Sequence, residues 1–331
     1  MRILVVEPGP NFSVADVCRG WVDALRQLGH EVVSFNLADR LTFYETALGG
    51  TDGTRSAILA AEGLRAACYD FWPDLVVVVS AFFVPPFTLD AIRGRGHRLA
   101  VILTESPYED DNQTAIAAHC DLAVVNDPTN LDAFRAVNPN THYLPHAHDP
   151  ARHHPRPAHA EHASDFCFVG TGYPERTAFL EAVDFTGIDV ALGGNWAGLD
   201  TDSPLRKFIA HDIDVCLDND QTAELYAATK VSANVYRTGA QRPGLADGWA
   251  MGPREVELAA CGTFFLRESR PESDLVLPML PTFDGPGDFA EKLRWWLAHD
   301  DNRHQAAERA RTAVANRTFT HNARALLERV T

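Results

Sequence analysis

The sequence predicts an α/β fold made of two Rossmann-like domains, each with a parallel sheet. Strand and helix signals alternate along most of the 331 residues, which is typical of βαβ units. Leu75–Val79 is a run of five apolar residues rich in valine, as expected for a parallel strand buried on both faces. The alternation stops once, near the middle of the chain, and then begins again. At this length, two domains of similar size are expected.

The first half of the chain contains the signals of five strands and one well-marked helix. Ser13 is a candidate N-cap for that helix, whose apolar residues share one face, and Gly29 ends it. The alternation of strand and helix predicts a parallel sheet built from βαβ units. The strands are expected at Ile3–Val6, Val32–Phe35, Leu75–Val79, Leu99–Leu103 and Leu122–Val125.

Residues 145–163 lack periodicity and contain four prolines and six histidines. This composition predicts a linker. The first domain is therefore placed at residues 1–150, the linker at 151–164 and the second domain at 165–314. The histidines could bind a transition metal, but a proline-broken tract rarely holds a fixed geometry, so a solvated linker is favoured.

The second half repeats the alternation of strands and helices. A tight turn, Gly170-Thr171-Gly172, precedes a helix that begins at Pro174 and reaches about Val183. Another helix ends at Gly262, and His304 to Val330 is predicted to be helical. The strands are expected at Phe166–Val169, Ile188–Leu192, Val231–Val235 and Thr263–Leu266.

Composition limits the classes of protein that the sequence can encode. Hydrophobic content of 46% and charged content of 22% are those of a globular protein. No apolar run reaches the roughly 18 residues that a membrane span needs, and the first strand is too short for a signal peptide. Six scattered cysteines without a C-x-x-C pair predict reduced, buried thiols in a cytoplasmic protein, without a disulfide or a zinc site. A formal net charge of −16 disfavours binding to nucleic acid or to an anionic membrane.

Arg254 and Glu257 form the most informative pair in the chain. They are three residues apart at the start of the helix that Gly262 ends, so they share one face. An arginine at a helix N-terminus can bind phosphate, and a glutamate one turn on can accept hydrogen bonds from ribose hydroxyls. The alternative is a solvated ion pair on an ordinary helix, and the spacing alone does not decide between the two.

Five blocks of the sequence, taken in order, are similar to blocks of one known family. They are Thr104–Asp111, Val125–Pro128, Tyr143–Pro150, Asp165–Arg176 and the pattern Arg254-x-x-Glu257-x-x-x-Cys261-Gly262, which is followed by a hydrophobic strand. On these blocks, which span most of its length, the chain resembles the CgeB-like glycosyltransferases.

This resemblance implies a GT-B fold, in which two Rossmann-like domains face an interdomain cleft. The acceptor side is N-terminal, the nucleotide-sugar donor side is C-terminal, and the last helix, about 315–331, returns to the first domain. The implied activity moves a sugar from a nucleotide-diphosphate sugar to an acceptor glycan, protein or small molecule. No metal or other cofactor is expected, because helix N-termini and basic side chains can stabilise the leaving diphosphate.

The resemblance also implies roles for residues of the donor side. Glu257 would hold the ribose hydroxyls and Arg254 would face the diphosphate. Glycines in the turn after the first strand of this domain would let the backbone approach the donor. Asn11 and Ser13, at the start of the first helix, are further candidates for contact with a phosphate. The complete set of donor-site candidates is Gly170, Gly172, Tyr173, Arg176, Arg254, Glu257, Asn11 and Ser13.

A catalytic base is expected on the acceptor side if the reaction inverts the sugar, since a carboxylate or a histidine must then take the acceptor proton. Glu105 is the first candidate and Asp111 the second, because both follow the strand Leu99–Leu103, at the edge where open α/β sheets bind ligands. His146 is the third, because it is expected near the cleft. The alternative is that Ser106-Pro107 only turns the chain and that the acids are solvated.

Two motifs have simpler interpretations than a site. Asp218-Asn219-Asp220 matches the D-x-D string of metal-dependent glycosyltransferases, but it precedes a helix start, and Asp220 or Thr222 as an N-cap explains it better. Trp295 and Trp296 lie within a predicted helix, Phe289 to Ala298, and are expected to pack rather than to stack on a sugar.

The leading hypothesis is therefore a cytoplasmic glycosyltransferase. A nucleotide-sugar epimerase of the same fold and a non-catalytic, two-domain protein that binds a small ligand remain open as alternatives. The residue eight positions before Glu257 is Trp249 rather than the acid of retaining GT-B enzymes, which weighs against a retaining mechanism. The sequence does not indicate the sugar, the base, the acceptor or the oligomeric state.

Overall fold

A computed structural model of the chain describes residues 1–10, 12–237 and 248–330, without the side chains of Phe12 and Ser13. These residues form two units. The first unit takes residues 1–145, Gly248 and 319–330, and the second takes 146–237 and 249–318. Among these residues no helix is both long enough and apolar enough to cross a membrane.

The first unit is a parallel six-stranded sheet flanked by helices. Its strands are β1 (Arg2–Val6), β2 (Glu31–Phe35), β3 (Leu75–Val79), β4 (Arg98–Leu103), β5 (Leu122–Val125) and β6 (Thr141–Tyr143). Its helices are α1 (Phe12–Gln27), α2 (Leu37–Ala47), α3 (Gly53–Phe71), α4 (Pro86–Gly94), α5 (Asp110–Ala117) and α6 (Leu131–Val137). The strand order is β2-β1-β3-β4-β5-β6, so the direction of winding reverses between β1 and β3. All five residues of β3 are buried, as the valine run predicts.

The second unit is a parallel four-stranded sheet with its own hydrophobic core. Its strands are β7 (Ser164–Val169), β8 (Val190–Gly193), β9 (Thr229–Asn234) and β10 (Phe265–Arg267), in the order β10-β9-β7-β8. Its helices are α7 (Pro174–Glu181), α8 (Asn219–Ala228), α9 (Pro253–Cys261), α10 (Pro271–Val276), α11 (Gly285–Leu297) and α12 (Asp300–Ala313), with short 3-10 helices at Ala160–His162 and Pro204–Phe208. The winding reverses between β7 and β9.

The end of the chain differs from the single helical segment predicted for His304 to Val330. The structure has α12 and then a separate helix, α13 (Phe319–Val330), which lies in the first unit. There the ring of Phe319 meets the ring of Trp21 on α1 at 6.3 Å, and Nδ2 of Asn322 donates to the carbonyl oxygen of Pro145 at 2.8 Å. The helices are separate because residues 317 and 318 bond elsewhere: the carbonyl oxygen of Arg317 accepts from the backbone N–H of His148 at 2.8 Å.

Several boundaries of single elements also differ from the predictions. α11 begins at Gly285, four residues before the predicted Phe289. α1 begins at Phe12, one residue before the predicted cap Ser13. β8 begins at Val190 rather than Ile188. β10 begins two residues after the predicted Thr263, because Gly262 adopts φ +76° and the N–H of Thr263 still donates to the carbonyl of Leu258 in α9.

Candidate active site

The carboxyl ends of β7 and β9 meet at the point where the second sheet reverses its winding. β7 ends at Val169 and is followed by Gly170, while β9 ends at Asn234. The two strands are bonded in parallel, and the hydroxyl of Ser232 donates to the carbonyl of Cys167 at 2.7 Å. In open α/β sheets this is the edge at which ligands bind. We call the residues around it, Gly170, Arg176, Asn234, Gly252 and Arg254, the switch-point site.

Arg254 joins the two strand ends from the first turn of α9. Its Nε donates to the carbonyl oxygen of Val169 at 2.7 Å, and its Nη1 donates to Oδ1 of Asn234 at 2.9 Å. The guanidinium also lies over the ring of Phe168, 4.7 Å from its centroid. Among the described residues Arg254 is therefore held by β7 and β9 rather than by Glu257, and the simple ion-pair interpretation does not describe it.

Gly170 and Gly172 have different surroundings from those that the resemblance implies. A Cβ on Gly170 would lie 2.4 Å from Nη2 of Arg254, so the glycine makes room for the guanidinium. A Cβ on Gly172 would lie 2.4 Å from Cε3 of the fully buried Trp196. The space beside Gly172 is thus taken by a core ring, and only Gly170 borders the switch-point site directly.

Arg176 and Tyr173 lie on the same turn and helix start. Arg176 is buried, and its Nε and Nη1 donate to the carbonyls of Val235 and Thr171 at 3.0 and 3.2 Å. Its guanidinium lies 5.1 Å from the centroid of the Tyr173 ring. Burial, and next the positive charge of Arg254, lower the pKa of Arg176 to about 9. The hydrogen bonds described for Arg176 and Arg254 go to neutral carbonyl and amide oxygens, which do not cancel the charge of the guanidinium groups. The two groups together therefore favour the binding of an anion.

Asn234 is the residue of this site that the sequence analysis missed. Its side chain is buried, and its Nδ2 has no hydrogen-bond partner among the described residues, although its Oδ1 is held by Arg254. The Nδ2 atom lies 3.8 Å from the position that a Cβ of Gly252 would take, beside the N-terminus of α9. Buried polar groups are rarely left without a partner, so this N–H is a candidate to bind a ligand. The available signal was a polar residue at the carboxyl end of an apolar strand.

Glu257 and Glu255 follow Arg254 on α9 but differ in burial. Glu257 is half-buried, as a residue that reaches a ligand would be. Glu255 is fully buried and accepts hydrogen bonds from the N–H of Gly252 at 2.7 Å, the hydroxyl of Ser273 at 2.8 Å and the hydroxyl of Tyr236. Glu255 therefore fixes the first turn of α9 to the segment after β9. A glutamate at N3 of a helix that begins with Pro253 is a capping-box signal that the sequence analysis could have used.

Replacing Glu255 with glutamine tests this buried carboxyl. Burial is the largest effect on its pKa and raises it from the ordinary value of 4.5. A raised pKa means that the folded state holds the proton more tightly than the unfolded chain, so this group's contribution to stability is largest below the unfolded pKa and is lost as the pH rises through the folded pKa. The glutamine variant cannot titrate, yet its amide can still accept from Gly252 and donate to Ser273.

The expected result is a melting temperature of Glu255→Gln that rises relative to that of the wild type as the pH increases from below 4.5 to neutral. Melting curves by circular dichroism across this range measure the difference. A difference that stays constant or falls with pH would contradict the assignment.

The predicted catalytic residues lie in separate places. Glu105 follows β4 and is half-buried, with its backbone N–H donating to Oε1 of Gln113 at 3.0 Å. Asp111 is exposed on α5. His146 is half-buried and belongs to the second unit. Of the three, Glu105 alone both follows a strand of the first sheet and belongs to the first unit, because His146 follows β6 but is part of the second unit.

The neighbour of Asp111, Asp110, is the buried acid of this segment. Its carboxylate accepts from Nδ2 of Asn130 at 2.7 Å and from Nε2 of Gln113 at 3.1 Å. Burial raises its pKa from the ordinary value. The same Gln113 amide donates to the hydroxyl of Ser106, so Asp110 and Gln113 fix the loop that carries Glu105. Nothing local in the sequence distinguishes the buried Asp110 from its exposed neighbour Asp111.

Two of the donor-site candidates fall outside what the structure describes. Asn11 is outside the described residues, and Ser13 lies within α1 with its side chain outside them. Their predicted contacts with phosphate remain predictions.

The D-x-D string belongs to a helix cap. Asp218, rather than the predicted Asp220 or Thr222, is the N-cap of α8. Its carboxylate accepts from the backbone N–H of Gln221 at 2.8 Å, and Oε1 of Gln221 accepts from the backbone N–H of Asp218. Within residues 1–10, 12–237 and 248–330, no group of three or more histidine, cysteine, aspartate or glutamate side chains is arranged to hold a metal ion.

Comparison with known proteins agrees with the class that the sequence suggests. Residues 176–328 match a family model described as glycosyl transferase-like. The chain is 22% identical over 249 residues to the spore protein CgeB of Bacillus subtilis strain 168, covering 72% of this chain and 76% of CgeB. The resemblance to CgeB-like glycosyltransferases is confirmed.

Solved structures show the same fold. The sucrose-phosphate synthase of Thermosynechococcus elongatus matches with a TM-score of 0.68 and 13% identity over 100% of this chain and 99% of that one. An alpha-glucosyltransferase solved in complex with UDP and a 13-mer DNA matches with a TM-score of 0.65 and 13% identity, with the same coverage. The predictions of a GT-B fold and of a glycosyltransferase are therefore confirmed.

Proposed function

We propose that this glycosyltransferase takes its sugar from a nucleotide-diphosphate donor and that the switch-point site binds the diphosphate without a metal ion. The observation that carries the proposal is the placement of Arg254, which bridges the ends of β7 and β9 at the first turn of α9. Its Nη2 lies against Gly170, where no side chain separates it from the ligand edge of the sheet.

Positive charge and free donors converge at this point. The N-terminus of a helix carries about half a positive charge, and α9 adds this to the guanidinium of Arg254. Arg176 supplies a second buried cation. Because burial and Arg254 lower its pKa, a bound anion would stabilise its charged form. The unpartnered Nδ2 of Asn234 beside Gly252 would gain a phosphate oxygen as its acceptor.

The same groups fit the chemistry of the transfer. When the bond between the sugar and the diphosphate breaks, negative charge grows on the leaving oxygen, and donors that are already in place stabilise it without reorganising. Arg254 is positioned in advance by Val169 and Asn234. In this proposal the arginines and the helix supply the charge that a divalent cation supplies in metal-dependent enzymes, and Glu257 accepts hydrogen bonds from the ribose.

On the acceptor side we propose Glu105 as the base. It follows β4 at the carboxyl edge of the first sheet, on a loop that Gln113 and Asp110 fix through Ser106. A carboxylate on a fixed loop can be held within reach of an acceptor hydroxyl. Asp111 and His146 become second choices, because Asp111 is exposed on α5 and His146 belongs to the second unit.

A thermal-stability screen tests the donor proposal. The melting temperature is measured with UDP, GDP, TDP, CDP and ADP and with their common sugars, with and without EDTA. A ligand at 100 times its Kd stabilises a protein by about 2.7 kcal/mol, which raises the melting temperature by a few degrees. We expect one diphosphate to stand out and its shift to survive EDTA. A shift that EDTA abolishes would contradict metal independence, and no shift with any nucleotide would contradict the donor site.

A further inference from the structure

The first unit has a groove at the amino ends of β3 and β4, away from the edge that carries Glu105. It has a volume of about 360 Å³ and lies between the end of α3, α4 and the residue before β4. β4 has six residues, so the groove is roughly 20 Å from Glu105 at about 3.3 Å per residue. The residues that matter for what it binds are Glu62, Arg65, Tyr69, Trp72, Arg95 and His97.

Two large aromatic rings are exposed in this groove. The side chains of Tyr69 and Trp72 are 62% and 53% exposed. Their centroids are 5.8 Å apart and their planes are perpendicular. More than half of the Trp72 surface is therefore open to solvent, as a site that stacks on a ligand requires.

Trp72 is held in place from behind. The ring of the buried His97 packs against it with a centroid distance of 5.1 Å, and Nδ1 of His97 lies 2.8 Å from the carbonyl oxygen of Pro73. Trp72 also takes a left-handed backbone conformation, φ +49°, at the end of α3. This conformation is unfavourable for a bulky residue. The indole is thus packed against the buried His97 while more than half of the residue stays exposed.

The charged groups around the rings balance one another. Glu62 and Arg65 are paired at 2.8 Å. The guanidinium of Arg95 lies over the Tyr69 ring, 5.4 Å from its centroid. With Asp70, the groove has two carboxylates and two guanidinium groups. It therefore has no net charge to attract a polyanion or a polycation, but it has donors and acceptors for a polyhydroxylated ligand.

We propose that this groove binds a neutral glycan, one or two sugar rings at a time, as a site separate from the reacting edge. The C–H faces of a sugar ring would lie on Trp72, and hydroxyls would bond to Glu62, Asp70 and the arginines. The volume suits a small saccharide rather than a protein helix. The choice of a glycan rests on the glycosyltransferase class, since an enzyme that extends or decorates a glycan gains from holding it at a second point.

Calorimetric titration of the full chain with maltohexaose, cellohexaose and chitohexaose tests the proposal. We expect at least one of these to bind, with a Kd at least about tenfold weaker in Trp72→Ala, a loss of the size that one good contact supplies. Tyr69→Ala is a second variant with the same expected direction. Trp295→Ala is the matched control, because Trp295 is an exposed aromatic of the other unit, 45% exposed. Melting curves establish that each variant is folded.

Three results would overturn the proposal: no binding by any of the three hexasaccharides, binding that Trp72→Ala and Tyr69→Ala leave unchanged, or self-association in sedimentation experiments that Trp72→Ala abolishes. The nucleotide screen is run in parallel on the same samples. Nucleotide stabilisation without glycan binding refutes this groove alone, because the switch-point site lies in the other unit.

Discussion

Replacing Arg254 with alanine is expected to lower donor turnover by about 10²- to 10³-fold, the usual cost of removing one charge-stabilising donor from an active site. The variant loses the guanidinium whose Nη2 lies against Gly170, and with it the hydrogen bonds that join Val169 and Asn234. The assay is release of nucleoside diphosphate from the donor identified by the stability screen. The variant also loses some stability, about 1–3 kcal/mol, because a carbonyl and an amide oxygen lose their donor.

Two controls separate this effect from a general loss of charge or of folding. Arg254→Lys keeps the charge but cannot bond to both strand ends in the same plane, so it should recover only part of the turnover. Arg294→Ala removes an exposed arginine of the same unit, which pairs with Asp184 at 2.9 Å. Exposed pairs of this kind contribute little, so turnover should not change. If Arg254→Ala turns over donor as well as Arg294→Ala does, Arg254 does not bind the diphosphate.

The second large effect is expected from a single methyl group at Gly170. The Cβ of Gly170→Ala would lie 2.4 Å from Nη2 of Arg254 and 3.3 Å from Phe168, so the guanidinium must move. Displacement of a catalytic group by about 1 Å can cost about 10²-fold in rate, and we expect a loss of turnover of that size. The fold should persist, because Nη2 is the far end of a flexible side chain.

Gly198→Ala is the matched control for this prediction. Gly198 lies in the same unit, and a Cβ there would have no atom within 4 Å. It should match the wild type in turnover and in melting temperature. Equal turnover in Gly170→Ala and Gly198→Ala would show that the position of Arg254 is not important for the reaction.

The local parts of the site could be predicted from the sequence. The turn after β7, the helix start at Pro174 and the end of α9 at Gly262 follow from short-range rules for glycine and proline, and the structure has them at those residues. Strand and helix alternation was sufficient for the fold because each signal lies within one element.

The features that could not be predicted from the sequence depend on contacts between segments that are distant along the chain. Asn234 reaches Arg254 because β9 pairs with β7. The two residues are 20 positions apart, and the sequence between Asn234 and Arg254 carries no local sign of this contact. The break between α12 and α13 occurs in Val-Ala-Asn-Arg-Thr, which has no glycine or proline. It arises from bonding of Arg317 and Thr318 with His148, far away in sequence. Propensity does not report such tertiary bonds.

The buried position of Glu255 is intermediate between the features that local sequence rules predict and those that depend on distant contacts. A glutamate at N3 is a recognisable sequence signal, but it does not show that the carboxyl points into the core, which depends on Ser273 and Tyr236 from other segments. The fully buried carboxyl and its bonds to Gly252, Ser273 and Tyr236 show that α9 uses this acid for structure.

The most direct test of the account is to incubate EDTA-treated protein with the stabilising nucleotide sugar alone and to follow both the nucleotide and the sugar by NMR. A metal-independent glycosyltransferase should slowly hydrolyse the donor, releasing nucleoside diphosphate and a free sugar whose configuration is unchanged at carbons other than C1. Both signals should be lost in Arg254→Ala. Conversion of the donor sugar to its epimer would establish the epimerase alternative instead. If the nucleotide sugar binds but does not react, even when candidate acceptors are added, the protein is not a transferase that acts at the switch-point site.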